Sequence, residues 1–139
     1  MNHTLSKSEK EKIIQLISSH FFQQYDEILA VYIFGSFISE GQFSDIDIGI
    51  ITAIDLSNPL GFELNLENRL EKLIKYPVDV RILNGAPISF SQNVFRTGRV
   101  IIDKNPSLRA DFQGRVLKQY FDFSPFHQRY LQEVINAPV

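Results

Sequence analysis

The most constraining feature of the sequence is the stretch from Ser44 to Ile51, in which aspartates and isoleucines alternate. On a β-strand, successive side chains point to opposite faces, so Asp45 and Asp47 share one face and Ile46, Ile48 and Ile50 share the other. Two carboxylates side by side on a buried strand repel each other unless a cation lies between them. Mg²⁺ prefers oxygen ligands and is often bound together with the phosphates of a substrate. The stretch therefore predicts a strand that carries a divalent-metal site.

A short apolar run from Ala30 to Phe34 comes before this strand and ends at Gly35 and Ser36. We interpret the run as a buried strand and the Gly-Ser pair as a turn at its end, where open α/β sheets place ligands. Glycine lets a ligand approach the backbone closely, and the serine hydroxyl and the following amides can bind phosphate oxygens. A phosphate-binding turn next to a metal-binding carboxylate pair predicts a nucleoside triphosphate site.

A third carboxylate, Asp79, lies in a second alternating stretch from Val78 to Leu83. Its valine neighbours face the core, so Asp79 faces the side where a ligand would bind. It could complete the coordination of a metal ion or act as the base that activates an attacking hydroxyl. Arg81 shares the face of Asp79, and two interpretations stay open: a structural ion pair with a carboxylate, or a contact with phosphate.

The remaining pattern predicts one α/β (α+β) domain over residues 1–139, with a small mixed sheet of three or four strands flanked by helices. A capping box at Ser6 opens the first helix, in which the lysines are expected to lie on a solvated face. Ser124-Pro125 is expected to end one C-terminal helix and begin another, so that these helices span about 105–137. The helices are predicted at about 6–25, from Pro59, from Pro87 and from Pro106, and a further strand is predicted at 100–102. The aromatic residues at 112, 121, 123 and 126 belong either to the core or to a face that binds a partner.

Composition excludes several classes of protein. The chain has no cysteine and three histidines, which excludes a disulfide scaffold and a thiolate zinc site. A formal net charge of −2 argues against a protein that binds nucleic acid directly. No apolar stretch approaches the length of about 18 residues that a transmembrane helix needs, and the polar N-terminus lacks a signal core. We therefore expect a cytoplasmic protein without membrane contact.

The motifs carry a family resemblance. Gly35-Ser36 followed by the spaced Asp45-x-Asp47 resembles the signature of the DNA polymerase β-like nucleotidyltransferases, with matching motifs over about residues 30–105. The small size and the Val78–Leu83 stretch are similar to the minimal nucleotidyltransferases, the MNT group. The resemblance implies the minimal nucleotidyltransferase fold and an antitoxin of a HEPN/MNT toxin–antitoxin module. Such an antitoxin transfers AMP from ATP to a tyrosine of a HEPN-domain RNase toxin, with which it forms a hetero-oligomer, and so inactivates the toxin.

Residue by residue, the resemblance implies that Gly35 and Ser36 hold the triphosphate, and Arg81 is a further candidate for that role. Asp45 and Asp47 would bind two Mg²⁺ ions, with Asp79 as the third carboxylate. Two alternatives remain. The chain could be a non-catalytic antitoxin that masks its toxin, or a small-molecule nucleotidyltransferase, although those enzymes generally carry an added helical domain for which this chain has little room.

Overall fold

The computed structural model describes the backbone of residues 2–136 and the side chains of residues 2–122. Over these residues the predicted order of helices and strands is confirmed, with four α-helices and four strands. The helices are α1 (Lys7–Leu16), α2 (Pro59–Ile74), α3 (Ile88–Thr97) and α4 (Pro106–Asn136), and the strands are β1 (Ile28–Phe34), β2 (Ile46–Thr52), β3 (Val78–Ile82) and β4 (Arg99–Asp103). A turn of π-helix (Ile17–Phe21) and a short 3₁₀ segment (Phe22–Gln24) extend α1, and a second 3₁₀ turn (Gly35–Ile38) follows β1.

The four strands form one mixed sheet in the order β3-β2-β1-β4. β1 pairs antiparallel with both β2 and β4, whereas β2 and β3 are parallel. Parallel strands need a crossover connection, and α2 supplies it. The mixed sheet predicted from the alternating stretches is confirmed, and β3 lies at its edge.

Both faces of the sheet are covered, because the side chains of β1 and β2 alternate between two apolar clusters. One cluster joins Val31, Ile33, Ile48 and Ile50 to α1 and to Leu66 and Leu70 of α2. The other joins Tyr32, Phe34 and Ile51 to Val94 of α3 and to Phe112 of α4. Asp47 and Asp79 alternate with residues of the first cluster, so they belong to the face that α3 covers.

The helix starts agree with the sequence. Ser6 and Glu9 form the predicted capping box at α1, and the side chain of Asn58 accepts a hydrogen bond from the Gly61 backbone at the start of α2. Asn105 caps α4 by accepting from the Leu108 backbone at 3.2 Å. These side chains satisfy N–H groups that have no partner within the helix.

The predicted break at Ser124-Pro125 is wrong, because α4 continues without interruption from Pro106 to Asn136. Proline removes one helical hydrogen bond, but its fixed φ angle is itself helical, so bonds on either side can carry the helix past it. The aromatic residues of this region do not share one environment. Phe112 packs against the core and Phe121 is 57% exposed, whereas residues 123 and 126 lie outside the described side chains. No helix in the described part of the chain is long and apolar enough to cross a membrane.

Candidate active site

Three carboxylates converge where β2 and β3 begin. Asp47 and Asp79 are direct partners in the parallel pairing of these strands, and Asp45 lies just before β2 rather than on it. One carboxylate oxygen from each of the three residues lies within 4.8 Å of the others, and all three residues are half-buried. The convergence predicted from the sequence is confirmed, since parallel strands in register place equivalent residues side by side.

Electrostatics single out Asp47 among the three. Its pKa is raised from 3.8 to about 6, first because burial disfavours the charged form and then because the charges of Asp45 and Asp79 repel it. The charge of Arg81 opposes this shift but does not cancel it. A divalent cation bound among the carboxylates would reverse the balance, because an opposite charge favours the ionised form.

The Gly-Ser turn lies directly beside this cluster. β1 ends at Phe34, which is the partner of Asp47 in the antiparallel pairing of β1 and β2. Gly35 follows with a φ of +79°, and a Cβ atom at this position would lie 2.2 Å from Oδ2 of Asp47. Both the left-handed backbone and the close approach require glycine. Gly35 therefore brings the backbone of the turn into direct contact with the carboxylate cluster.

Hydrogen bonds within the turn fix its shape. The backbone N–H of Ser39 donates to the Ser36 carbonyl at 3.2 Å, and its hydroxyl lies 3.3 Å from the Gly35 carbonyl. Ser36 is half-buried at the start of this 3₁₀ turn. Its position at the end of a strand, adjacent to the carboxylates, is the one expected for a phosphate contact.

Arg81 forms an ion pair with Asp79, with Nε and Oδ1 3.3 Å apart. The pair lies at the rim of the cluster, and the side chain of Arg81 is 60% exposed. An exposed guanidinium has donors to spare beyond the one that contacts Asp79. The structure thus shows the ion pair, and the remaining guanidinium donors of Arg81 are accessible to solvent.

Sequence reasoning missed a row of glutamates that secures β3. Glu63, Glu67 and Glu71 of α2 accept hydrogen bonds from the backbone N–H groups of Ile82, Val80 and Val78, at 2.8, 3.2 and 2.9 Å. We call these three residues the glutamate ladder. Their spacing of four places them on one side of the helix, and this was the available signal. The ladder occupies the free edge of β3 and holds the backbone on both sides of Asp79.

The prediction that Lys10 lies on a solvated helix face is wrong. Its residue exposure is 8%, whereas Lys7 and Lys12 are exposed as expected. The signal was present in the helical spacing, because Lys10 lies four positions before Ile14 and seven before Ile17, both of which are buried.

The donor set suits a hard divalent cation. Asp45, Asp47 and Asp79 offer only carboxylate oxygens, which Mg²⁺ prefers, and Mg²⁺ typically keeps further positions for water and substrate phosphates. The adjacent turn offers backbone and hydroxyl groups where those phosphates would lie. The arrangement can hold a triphosphate and a metal ion in contact with each other.

Solved structures share this fold. A chain in the complex of the tri-AMPylated HEPN toxin of Shewanella oneidensis with an MNT antitoxin is 21% identical, with a TM-score of 0.70, and the alignment covers 91% of this chain and 98% of that one. A chain of the toxin–antitoxin complex MntA–HepT is 22% identical at a TM-score of 0.65, covering 94% and 99%. A chain of a toxin–antitoxin structure with AMP-PNP is 23% identical at 0.68, covering 91% and 98%. The likenesses show a common fold over nearly the whole of each chain.

No curated protein is similar enough to the chain to count as a match. The model of the family described as polymerase beta nucleotidyltransferase, however, matches residues 11–107. The matched segment contains the Gly35-Ser36 turn and all three carboxylates, and it spans most of the 139 residues. The fold and the motifs agree with this match, so the chain belongs to the polymerase β nucleotidyltransferase family.

Proposed function

We propose that this nucleotidyltransferase is the antitoxin of a toxin–antitoxin pair and transfers AMP from ATP to a tyrosine hydroxyl of a cognate HEPN RNase toxin. The observation that carries the proposal is the cluster of three carboxylates within 4.8 Å of one another, in contact with the Gly35 turn. A metal-binding cluster beside a phosphate-binding turn is the arrangement that phosphoryl and nucleotidyl transfer need.

The choice of a protein acceptor rests on the structural neighbours. Those neighbours include a toxin carrying AMP groups beside its MNT antitoxin and a toxin–antitoxin structure with AMP-PNP, an analogue of ATP. The same fold spans 91% or more of this chain in each of these comparisons. We infer a HEPN-domain protein as the partner, ATP as the donor and a hetero-oligomer of the two proteins as the working assembly.

The residues of the chain divide the work. The Gly35-Ser36 turn holds the β- and γ-phosphates through backbone N–H groups and the Ser36 hydroxyl, and Arg81 turns its unused donors toward phosphate. The α-phosphorus would then lie near Asp45 and Asp47, which are adjacent to the turn. The tyrosine oxygen attacks the α-phosphorus in line with the bond to the β-phosphate, that bond breaks, and pyrophosphate leaves. The hydroxyl proton passes to Asp79, which acts as the general base.

Asp45 and Asp47 would each bind both of two Mg²⁺ ions, and Asp79 would bind one of them. Bound there, Mg²⁺ supplies neutralisation of the charge that develops on the phosphate oxygens and lowers the pKa of the attacking hydroxyl. The raised pKa of Asp47, about 6 without metal, fits this assignment, because three crowded carboxylates are most stable around cations.

The decisive experiment incubates the protein with Mg²⁺, each of the four nucleoside triphosphates in turn and the product of the neighbouring gene, which the proposal expects to be a HEPN protein. Intact-mass spectrometry of the HEPN protein then counts the nucleotide units added. We expect one or more AMP units with ATP and none with the Asp47→Asn variant. If RNase activity is lost on mixing while the mass of the HEPN protein stays unchanged in the presence of ATP, the protein is a masking antitoxin and the proposed chemistry is wrong.

A further inference from the structure

We propose that the N-terminal segment, residues 3–10, positions the nucleotide-binding turn, with Lys10 as its central positioning residue. The inference rests on the proposed binding of ATP by Gly35 and Ser36. Residues 35–44 leave the sheet after β1 and return at β2, and we call them the phosphate loop. Lys10 and the residues before it precede the segment that the family model matches, which begins at residue 11.

Lys10 binds the phosphate loop through its buried ammonium group. Its Nζ donates hydrogen bonds to the backbone carbonyls of Ser39 at 3.0 Å and Gly41 at 3.3 Å. The same nitrogen lies 5.5 Å from the ring centroids of both Phe37 and Phe43. A lysine buried to 8% exposure needs partners of this kind, since an unpaired buried ammonium is costly. All four partners belong to the phosphate loop.

The bonds of Lys10 lead directly to the nucleotide-binding residues. Ser39, whose carbonyl Lys10 binds, donates its backbone N–H to the Ser36 carbonyl at 3.2 Å. The Ser39 hydroxyl lies 3.3 Å from the Gly35 carbonyl and can donate to it. Loss of the Lys10 side chain would therefore free Ser39, which bonds the carbonyls of Gly35 and Ser36.

The beginning of the segment binds the other end of the loop. His3 and Phe43 exchange two backbone hydrogen bonds, at 2.7 and 3.0 Å, and the His3 ring packs against the rings of Phe43 and Tyr76. Phe43 in turn packs edge-to-face on Phe37, with ring centroids 4.9 Å apart, and both rings are almost fully buried. His3 and Lys10 thus bind the loop at two points, Phe43 and Ser39.

The test compares Lys10→Met with Lys7→Met. Methionine keeps the apolar stem of Lys10 and removes its donors. Lys7 is a matched control because it also reaches the loop, with its Nζ 3.8 Å from Oε1 of Glu40. The side chains of Lys7 and Glu40 are both about 90% exposed, so this contact should contribute little. We expect Lys10→Met to weaken the binding of Mg²⁺–AMP-PNP by about tenfold, within the range of about 5- to 150-fold typical of coupling between sites. Hydrogen exchange should accelerate at residues 36–43, and Lys7→Met should change neither measurement.

Both measurements are made well below the unfolding temperature of each variant, so a purely stabilising role would leave affinity unchanged. Equal affinity and equal loop exchange in the two lysine variants would overturn the inference. If the wild-type protein itself fails to bind Mg²⁺–AMP-PNP, the proposed function is wrong, and the exchange measurement still decides whether Lys10 orders the loop.

A second pair of variants decides the matter if Lys10→Met fails to fold. His3→Pro removes the backbone N–H that donates to Phe43, whereas His3→Ala keeps it and loses only the ring. We expect His3→Pro to weaken Mg²⁺–AMP-PNP binding about fivefold relative to His3→Ala, near the lower end of typical coupling between sites. Identical binding by these two variants would contradict a positioning role for the segment.

Discussion

The two halves of the site are side by side but are held by different means. Asp47 and Asp79 lie on paired strands, where the sheet fixes their backbones and the glutamate ladder secures the outer edge of β3. Gly35 and Ser36 lie in a turn outside the sheet, and contacts with residues 3–10 hold the loop that contains them. Regular hydrogen bonding fixes the carboxylate half, whereas side chains distant in sequence fix the Gly35-Ser36 half.

This difference teaches where each half is vulnerable. Sheet residues open only in larger unfolding events, while a loop opens locally when a few contacts are lost. Substitutions on the strands should therefore remove chemistry without changing the fold. Substitutions in the loop should change nucleotide affinity in proportion to the contact removed. The following predictions test that contrast, from the largest expected effect to the smallest.

Asp47→Asn should abolish nucleotidyl transfer while the domain stays folded. The amide keeps the shape of the carboxylate but is a poor ligand for Mg²⁺, so the transition state loses several kcal/mol of stabilisation, roughly 10³-fold or more in rate. The exposed residue Asp55 provides the control, Asp55→Asn. Transfer of AMP is measured by mass spectrometry and folding by circular dichroism. Transfer at the wild-type rate would show that the metal site lies elsewhere.

Gly35→Ala should reduce transfer by about 10²-fold, which corresponds to roughly 2.7 kcal/mol. The new Cβ would lie 2.2 Å from Oδ2 of Asp47, so either the turn or the carboxylate must move. Gly41→Ala is the matched control, because Gly41 also has a positive φ, +95°, but a Cβ atom there would have no atom within 4 Å beyond its own and its adjacent residues. The difference in kcat/KM between these variants isolates the clash from the backbone strain they share. Equal losses would mean that close approach to Asp47 is irrelevant.

Ser36→Ala should weaken ATP binding without preventing transfer. One hydroxyl contact with a charged phosphate is worth about 1.5 kcal/mol, roughly tenfold in affinity, and the backbone N–H groups of the turn remain. A titration with Mg²⁺–AMP-PNP measures the change, with the exposed Ser57→Ala as the control. Unchanged affinity would show that the Ser36 hydroxyl does not touch the triphosphate.

The metal-free protein should become more stable relative to Asp47→Asn as the pH falls from about 6 toward 4. Asp47 has a pKa near 6 when folded and near 3.8 otherwise, so the folded state binds more protons across this window. Stability falls with rising pH wherever the folded state binds more protons. Thermal unfolding in the presence of a chelator, at a series of pH values, measures the difference in slope. Parallel curves for the two proteins would contradict the raised pKa.

The sequence predicted those features of the site that depend on local pattern, in both halves. Alternation in the Ser44–Ile51 stretch identified β2, and the apolar run before Gly35 identified β1. Asp79 was predicted to face the ligand side of its strand, whereas its parallel pairing with Asp47 is a finding of the structure. Helix starts at Ser6, Asn58 and Asn105 were predictable because capping involves only near neighbours.

The contacts that hold both halves in place could not be predicted, because they depend on which elements are neighbours in space. The contact of Lys10 with Ser39 joins residues 29 positions apart. The glutamate ladder requires β3 to be an edge strand with α2 beside it, and strand order is not encoded in local periodicity. The uninterrupted α4 shows the opposite limit. A local signal, Pro125, indicated a break that the longer helix overrides.

Glu67→Ala should have the smallest effect, because it removes one rung of the glutamate ladder from a strand that the sheet already holds. The Glu67 carboxylate accepts the N–H of Val80, next to Asp79, at 3.2 Å. Loss of this bond should lower the free energy of unfolding by about 1 kcal/mol, the net contribution of a typical hydrogen bond. The control Asn68→Ala changes an exposed neighbour on the same helix. We expect urea denaturation to separate these variants, while affinity for Mg²⁺–AMP-PNP stays the same in both. A large loss of affinity in Glu67→Ala alone would show that the ladder, and not the pairing of β2 with β3, places Asp79, and the contrast between the two halves of the site would then fail.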